Sequence, residues 1–142
     1  MNTASNTQTK PCICIKLRRT AKKITEFYDK ALAPVGINVN QYSLLVNISR
    51  IEGCGTGELA KKIRLESSTL VRTLHPLLKG GLIIDKTSGV GRRRRLYLTP
   101  SGKDMLAKAF PLWSQAQEDI LVKLGKSHDE LMDTLTKIDL LD

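Results

Sequence analysis

Apolar residues recur every three or four positions over most of this chain, which is the spacing of amphipathic helices. The first apolar stripe covers residues 12–32 and ends at a loop that contains proline and glycine. Two further stripes predict a helix that begins after Asn38 or Asn40 and a short helix over residues 56–63. The N-terminal half of the chain is therefore predicted to be helical.

A helix and a β-hairpin follow one another at the centre of the chain. A helix is predicted over about residues 67–79, with Ser67 or Ser68 as its N-cap and a buried stripe made of Leu70, Leu74, Leu77 and Leu78. The short apolar runs 82–84 and 95–98 flank a glycine-containing stretch, so they predict two strands joined by a flexible tip. Because side chains alternate along a strand, Leu96 and Leu98 should face one side of this hairpin and Arg95 and Tyr97 the other.

The C-terminal third is predicted to form two more helices. Thr99 is followed by Pro100, a residue favoured at the first helical position, and an apolar stripe continues from there. Ser127 and Glu130 form a capping-box pattern that opens a last helix. Helix, helix, capped helix and two-stranded ribbon is the layout of a winged helix-turn-helix. The predicted fold is therefore mainly α with a small β-hairpin wing.

This layout divides the chain into four segments. The apolar stripes of the terminal helices are wide for so small a domain, which predicts a homodimer held by these helices; the alternative is that they pack on the core of one chain. We predict a polar, disordered tail over residues 1–11, an N-terminal dimerisation helix over 12–36, a winged helix-turn-helix DNA-binding region over 37–99, and C-terminal dimerisation helices over 100–142. Within the third segment, the recognition helix covers about 67–79 and the wing about 82–99.

The positive charge of the chain is concentrated in its middle third. Residues 61–103 hold eleven Lys or Arg residues and only Glu66 and Asp85 as acids, a net charge of +9 that equals the formal net charge of the whole chain. Residues 104–142 carry a net charge of −4. A basic block in an otherwise balanced chain is typical of a surface that binds a polyanion, here nucleic acid. The alternative is an ordinary solvated surface, which four consecutive arginines at 92–95 disfavour.

The residues predicted to contact DNA follow from the docking geometry of a winged helix. A helix fits the major groove, its N-terminal turns reach base edges, and arginine is favoured in a narrow minor groove. The candidates lie off the buried stripe of the central helix and on the ribbon: Ser67, Ser68, Thr69, Arg72, Thr73, Arg92, Arg93 and Arg94.

At this point the sequence resembles the MarR family of bacterial transcription regulators over nearly its whole length. The stretches that carry the resemblance are Gly57–Ala60, Ser68–Arg72, Gly81–Ile83 and Leu98–Gly102. The resemblance implies homodimers whose first and last helices interdigitate, with the serine-threonine helix in the major groove and a wing arginine in the minor groove. Arg92 matches that arginine, whereas Val90 occupies the place of the usual aspartate, and we expect Arg93, Arg94 and Arg95 to compensate by simple charge.

Two cysteines lie at the start of the first helix. A helix N-terminus and nearby basic residues are typical surroundings of a reactive cysteine, and Cys12 and Cys14 have both. This segment is similar to the organic-hydroperoxide-sensing branch of the family, which implies that Cys14 is oxidised and that Tyr28 bonds to it; Val39 stands where the branch has a second tyrosine. The alternative is that these cysteines are small apolar residues of a core.

The sequence thus predicts a dimeric, sequence-specific DNA-binding regulator in the cytoplasm, a repressor relieved by a small-molecule effector or by thiol oxidation. A pseudo-palindromic operator is expected, because a dimer presents two recognition helices. Two alternatives remain open: a non-specific architectural nucleic-acid-binding protein and a winged helix that binds a protein partner. We expect no enzyme, because phosphate-binding loops, paired carboxylates and a nucleophile elbow are missing from the sequence. No metal site, cofactor or membrane span is expected.

Overall fold

The computed structural model describes residues 10–87 and 93–142 of the chain. The helices are α1 (Ile13–Leu32), α2 (Val39–Arg50), α3 (Thr56–Ile63), α4 (Ser67–Lys79), α5 (Pro100–Leu124) and α6 (Ser127–Asp139), with a 3-10 turn at Ala33–Val35. The strands β1 (Ile83–Asp85) and β2 (Leu96–Leu98) form an antiparallel hairpin. The predicted fold class, mainly α with a small hairpin, is confirmed. Most of the predicted tail, together with Val90 and Arg92 in the wing, lies outside the described residues.

Side-chain capping fixes the start of two helices. Asn38 accepts a hydrogen bond from the backbone N–H of Gln41 at 2.8 Å, and the Gln41 side chain accepts one from the Asn38 N–H at 2.9 Å. This capping box selects Asn38 over Asn40 as the start of α2. The Thr99 hydroxyl accepts a hydrogen bond from the Gly102 N–H at 3.0 Å, which confirms the predicted start of α5.

The serines predicted to cap α4 and α6 do not do so. Arg64 ends α3 in the left-handed conformation, with φ 56°, and the N–H of Leu65 bonds to the Ala60 carbonyl at 3.1 Å. This tight turn brings Glu66 to the N-cap position, so Ser67 is already the first helical residue of α4. Ser127 likewise follows an N-cap at Lys126. In both helices the serine falls one position too late to cap.

A single apolar core holds α2, α3, α4 and the hairpin together. Its fully buried side chains come from all of these elements and include Leu45, Ile48, Leu59, Leu70, Leu74, Leu77, Ile83 and Leu96. Three of the four leucines predicted to form the buried stripe of α4 belong to it, and Leu78 packs at its edge. In contrast, α1 buries only its last residue, Leu32, and α6 buries none of its residues. The winged module therefore has a complete core within one chain.

The hairpin is extended by a third short segment. In the register of the hairpin Ile83 pairs with Leu98 and Asp85 pairs with Leu96. On the other edge of β2, the Gly53 N–H donates to the Leu96 carbonyl at 2.8 Å and the Leu96 N–H donates to the Cys54 carbonyl at 3.0 Å. Leu96 and Leu98 are buried and the intervening residue of β2 is not, as the alternation predicted.

Helix α5 starts directly after β2 and lies against the chain that leads into β1. The Thr99 N–H donates to the Leu82 carbonyl at 3.1 Å, and one turn of helix later Gly102 packs on the same peptide. A Cβ atom at Gly102 would overlap the Leu82 carbonyl oxygen and would lie 3.0 Å from its carbonyl carbon. Both neighbours are backbone atoms, so neither can rotate away.

We expect Gly102→Ala to lower the free energy of unfolding by about 2 kcal/mol or more, because it forces α5 away from the hairpin. Urea unfolding followed by circular dichroism measures this. Gly57→Ala is the matched control: its Cβ would meet no atom within 4 Å, and alanine favours the helix, so stability should rise by about 0.5–1 kcal/mol. Equal stability of Gly102→Ala and the wild-type chain would contradict the close contact.

Candidate nucleic-acid interface

Helix α4 presents a polar face opposite its buried leucines. The side chains of Ser67, Ser68 and Arg72 are exposed, as the helical periodicity predicted. Ser68 and Arg72 are four residues apart, so they lie on the same face of the helix. Short hydroxyls can bond to base edges or phosphates, and an arginine can bond to guanine through two hydrogen bonds. This face can therefore read the edges of base pairs in a major groove.

The N-terminus of α4 adds backbone donors to this face. Its N-cap, Glu66, makes no side-chain hydrogen bond to the first turn. The first N–H groups of a helix have no partner within the helix, and together with the helix dipole they attract anions. A DNA phosphate is the anion that such a helix end meets when it enters a groove.

Two predicted contact residues are less accessible than the serines. Thr69 and Thr73 are half-buried, and the Thr73 hydroxyl donates to the Thr69 carbonyl at 2.9 Å. That internal hydrogen bond turns the hydroxyl back along the helix. Sequence reasoning left Val71 and His75 out of the contact set, although both are exposed on α4. An exposed valine is suited to contact a thymine methyl group, and the helical period placed both residues off the buried stripe.

The wing arginines have different environments. Arg94 lies 3.7 Å from the Asp85 carboxylate, and Arg95 donates to the Tyr97 hydroxyl at 3.0 Å. The Lys86 ammonium sits 4.7 Å from the centre of the Tyr97 ring, a cation–π distance. Arg94 and Arg95 thus make specific contacts at the base of the wing, and their compensation by simple charge stays a prediction.

Arg93 connects the wing to the first turn of α3. A polar groove of about 540 Å³ is lined by residues 55–58 and by Lys61, Arg93 and Arg94, and Glu58 is its one acidic lining residue. Its two exposed cations, Lys61 and Arg93, come from elements that are more than thirty residues apart in the chain. Because its three cationic residues outnumber Glu58, this groove between α3 and the base of the wing can hold a backbone phosphate.

The comparisons with known proteins agree with this geometry. Residues 37–93 match the family model described as "MarR family". The M. tuberculosis transcriptional regulator MosR, solved in complex with DNA, is 31% identical, with a TM-score of 0.82; the match covers 90% of this chain and 93% of MosR. This chain belongs to the MarR family.

Two further solved structures of regulators are similar to this MarR-family chain. The transcriptional repressor CouR, bound to a 23-mer DNA duplex, is 25% identical over 98% of each chain, with a TM-score of 0.79. An E. coli MarR mutant complexed with operator DNA shares the fold, with a TM-score of 0.78 and 19% identity over 91% of this chain and 94% of that one. The chain is a DNA-binding transcriptional regulator and not an enzyme. Within its described residues no helix is both long and apolar enough to cross a membrane.

This MarR-family chain also contains a large cavity away from the α4 face. The cavity has a volume of about 1070 Å³ and lies between α1, α2, α5 and the end of β2. Its wall carries four aromatic rings, of which Tyr42 and Trp113 are stacked with ring centres 5.6 Å apart. Arg50 and Lys103 supply positive charge, and the Tyr28 hydroxyl donates to the Gln117 side chain. Burial raises the pKa of Tyr28, so this phenol stays protonated.

The cysteines of the regulator fall into two classes. Cys12 and Cys14 are exposed at the start of α1, whereas Cys54 is only 2% exposed in the core of the winged module. Burial and the nearby Glu58 raise the pKa of the Cys54 thiol, which disfavours its reactive thiolate. Within one chain Cys54 therefore packs in the core, whereas Cys12 and Cys14 do not.

The structure does not bring the predicted redox residues together in one chain. Cys14 and Tyr28 lie fourteen residues apart on the continuous helix α1, about 21 Å at the rise of an α-helix. The Tyr28 hydroxyl instead bonds to Gln117. A contact between Cys14 and Tyr28 therefore requires a second chain, and the redox role of Cys12, Cys14 and Tyr28 stays a prediction. In the described part of the chain no three His, Cys, Asp or Glu side chains cluster as metal ligands.

We expect Cys12 and Cys14 to react quickly with an aromatic disulfide reagent under native conditions, and Cys54 to react about a hundredfold more slowly. The reason is that Cys54 must be exposed by local unfolding before its thiolate can attack. The released thiolate is followed by absorbance, with Cys54→Ala as the control that should abolish only the slow phase. Three thiols reacting at one rate would contradict the buried position of Cys54.

Proposed function

We propose that this chain is a homodimeric repressor that binds a pseudo-palindromic operator and releases it when the large cavity is occupied or when the exposed thiols are oxidised. The observation that carries the proposal is the exposed polar face of α4, with Ser67, Ser68 and Arg72, followed along the chain by a basic wing. The DNA complexes of MosR and CouR support this use of the fold.

The recognition helix supplies sequence preference and the wing supplies affinity. In this proposal Ser67, Ser68, Thr69, Arg72 and Thr73 lie in or beside the major groove. Arg93 and Arg94 contact the backbone or the minor groove, as does Arg92 outside the described residues. Contacts to phosphates hold the protein in register, whereas contacts to base edges distinguish sequences. Each bidentate contact between arginine and guanine is worth about 1–3 kcal/mol of discrimination.

The terminal helices support a dimer because they leave apolar side chains uncovered. Large exposed apolar residues lie on α1 and α5 and in the last residues of the chain: Ile13, Ile24, Phe27, Phe110, Val122, Leu140 and Leu141. A contiguous exposed apolar surface typically marks an interaction site. A second copy that covers these helices would place two recognition helices on one duplex, about one helical turn apart.

The large cavity supports relief by a small molecule. It lies between the helices proposed to form the dimer and the module that contacts DNA. Its aromatic wall and its two cationic residues suit a flat, apolar ligand that carries an anionic group. Such a ligand would push α2 away from α1 and α5 and change the spacing of the two recognition helices. Trp113, the only tryptophan of the chain, lines this cavity, so its fluorescence would report occupancy.

Relief by oxidation is supported by the exposure of two thiols near basic residues. Cys12 is the N-cap of α1 and Cys14 lies in its first turn, and Lys10, Lys16 and Arg18 are exposed close to them in sequence. Oxidation would add polar atoms or a covalent bond to a helix that we assign to the dimer. The rival function is a non-specific architectural nucleic-acid-binding protein, for which the basic block would suffice without sequence preference.

Selection from a genomic DNA pool tests the proposal, with reduced and peroxide-treated protein run side by side. We expect the reduced protein to enrich a pseudo-palindrome. Loss of this enrichment on oxidation and its return with a thiol reductant would support the thiol switch. Enrichment that is indifferent to peroxide would remove the thiol switch and leave the cavity as the regulatory site. Salt-dependent binding with no enriched sequence would favour the architectural protein, and no binding at physiological salt would favour a protein partner.

We expect Arg72→Ala to weaken binding to the selected site by about tenfold or more and to relax the preference at one base pair in each half-site. Arg93→Ala should instead weaken binding to all sequences and make its dependence on salt shallower. Fluorescence anisotropy at two salt concentrations separates the two effects. Lys108→Ala, on α5, removes an exposed cation away from α4 and the wing and should change little. Unchanged binding by both arginine variants would refute this placement of the DNA surface.

A further inference from the structure

Asp85 is an acidic residue in the middle of the basic surface. It is the last residue of β1, its side chain is 26% exposed, and it contacts Arg94 and the backbone of Arg95. A carboxylate in this position repels phosphate and, by charge alone, weakens DNA binding. The contacts of the carboxylate point to a different role.

The Asp85 carboxylate binds both arms of the wing at the level where strand pairing ends. On the outgoing arm, its Oδ1 accepts hydrogen bonds from the Thr87 N–H at 3.0 Å and from the Thr87 hydroxyl. On the returning arm, the same oxygen accepts from the Arg95 N–H at 3.0 Å, and Oδ2 lies 3.7 Å from Arg94 Nε. Together with the Lys86 N–H, which donates to the Arg95 carbonyl at 2.8 Å, the Asp85 side chain continues the ladder of a hairpin whose strands have only three residues each.

This network reaches the backbone of Arg93. The Thr87 hydroxyl, which donates to Asp85, also lies 3.2 Å from the Arg93 carbonyl oxygen, close enough to share its proton. Asp85 therefore contacts Arg94 and Arg95 directly, and its partner Thr87 contacts Arg93. Burial raises the pKa of Asp85, but the hydrogen bonds from Thr87 and Arg95 and the charge of Arg94 outweigh it. The pKa of Asp85 lies below its usual value, so the carboxylate is charged at neutral pH.

We propose that Asp85 is a positioning residue for DNA binding: by joining Thr87 to Arg94 and Arg95 across the base of the wing, it holds Arg93 and Arg94 in the orientation that meets the DNA backbone. The inference rests on the proposed operator binding by the wing. The two strands pair over only three residues each, so hydrogen bonds to a charged acceptor contribute strongly to fixing the two arms. Asp85 thereby fixes the relative position of the two arms of the wing, which positive charge alone does not do.

For the removal of Asp85, a positioning role and electrostatics predict opposite changes in DNA affinity. Removing a negative charge from a DNA-binding surface should tighten binding, whereas removing a positioning residue should weaken it. Glu66 is the matched control, because it is the other acid of residues 61–103 and makes no capping hydrogen bond. We expect Glu66→Gln to bind a labelled duplex carrying the selected site about twofold more tightly. We expect Asp85→Asn to bind about threefold and Asp85→Ala about tenfold more weakly than wild type.

A double-mutant cycle distinguishes positioning from a general loss of structure. If Asp85 acts through the wing arginines, Asp85→Ala should cost less than about twofold in binding when Arg93→Ala and Arg94→Ala are already present. Thermal unfolding of each variant identifies loss of the fold, and Thr87→Val offers a second, milder way to break the network. Thr87→Val should weaken DNA binding, as Asp85→Asn does.

The results of these experiments distinguish failure of the inference about Asp85 from failure of the proposed function. If wild-type protein binds the duplex and folded Asp85→Asn and Thr87→Val bind as tightly or more tightly, the inference is wrong while the proposed function stands. The inference is also wrong if Asp85→Ala weakens binding by the same factor whether or not Arg93 and Arg94 are both replaced by alanine. If the wild-type protein itself shows no preference for any DNA, the proposed function fails and takes this inference with it.

Discussion

The direct passage from strand β2 into helix α5 is the constraint on which the rest of the structure depends. One residue, Thr99, separates the buried Leu98 from Pro100, and it is bonded on both sides: its hydroxyl caps α5 and its N–H binds the Leu82 carbonyl. Gly102 then brings the helix backbone onto the same peptide. Because a packed interior resists deformation, a tilt of α5 moves the hairpin with it. The wing, the cavity wall and the proposed dimer helix are consequently parts of one rigid connection.

The elements that depend on local pattern could be predicted from the sequence. Periodicity located each described helix, and the alternation at Leu96 and Leu98 identified the face of the hairpin that packs on the core. The errors concern helix ends, where a tertiary feature decides. Ser67 looks like an N-cap in isolation, but the left-handed Arg64 closes the preceding turn and moves Glu66 into that position. Sequence spacing alone carries no information about such a turn.

The candidate site could be predicted as a surface but not as a set of contacts. Charge and period identified α4 and the wing, because exposure on a helix follows from its buried stripe. The roles of the individual arginines depend on partners that local pattern does not identify, such as Asp85 for Arg94 and Tyr97 for Arg95. Composition and motifs likewise do not predict the hydrogen bond of Thr73 within its own helix or the distance between Cys14 and Tyr28. These positions show where a three-dimensional arrangement is needed to assign chemistry.

The unequal distribution of buried residues has a consequence for how such a regulator responds to its own abundance. The winged module buries its leucines within one chain, whereas α1 and α6 contribute almost nothing to that core. In the proposed dimer, the terminal helices would be covered only when two chains meet, so their order would follow the law of mass action. Occupancy of an operator would then rise more steeply than in proportion to the amount of protein. Copy number would thereby become a regulatory input alongside any ligand or oxidant.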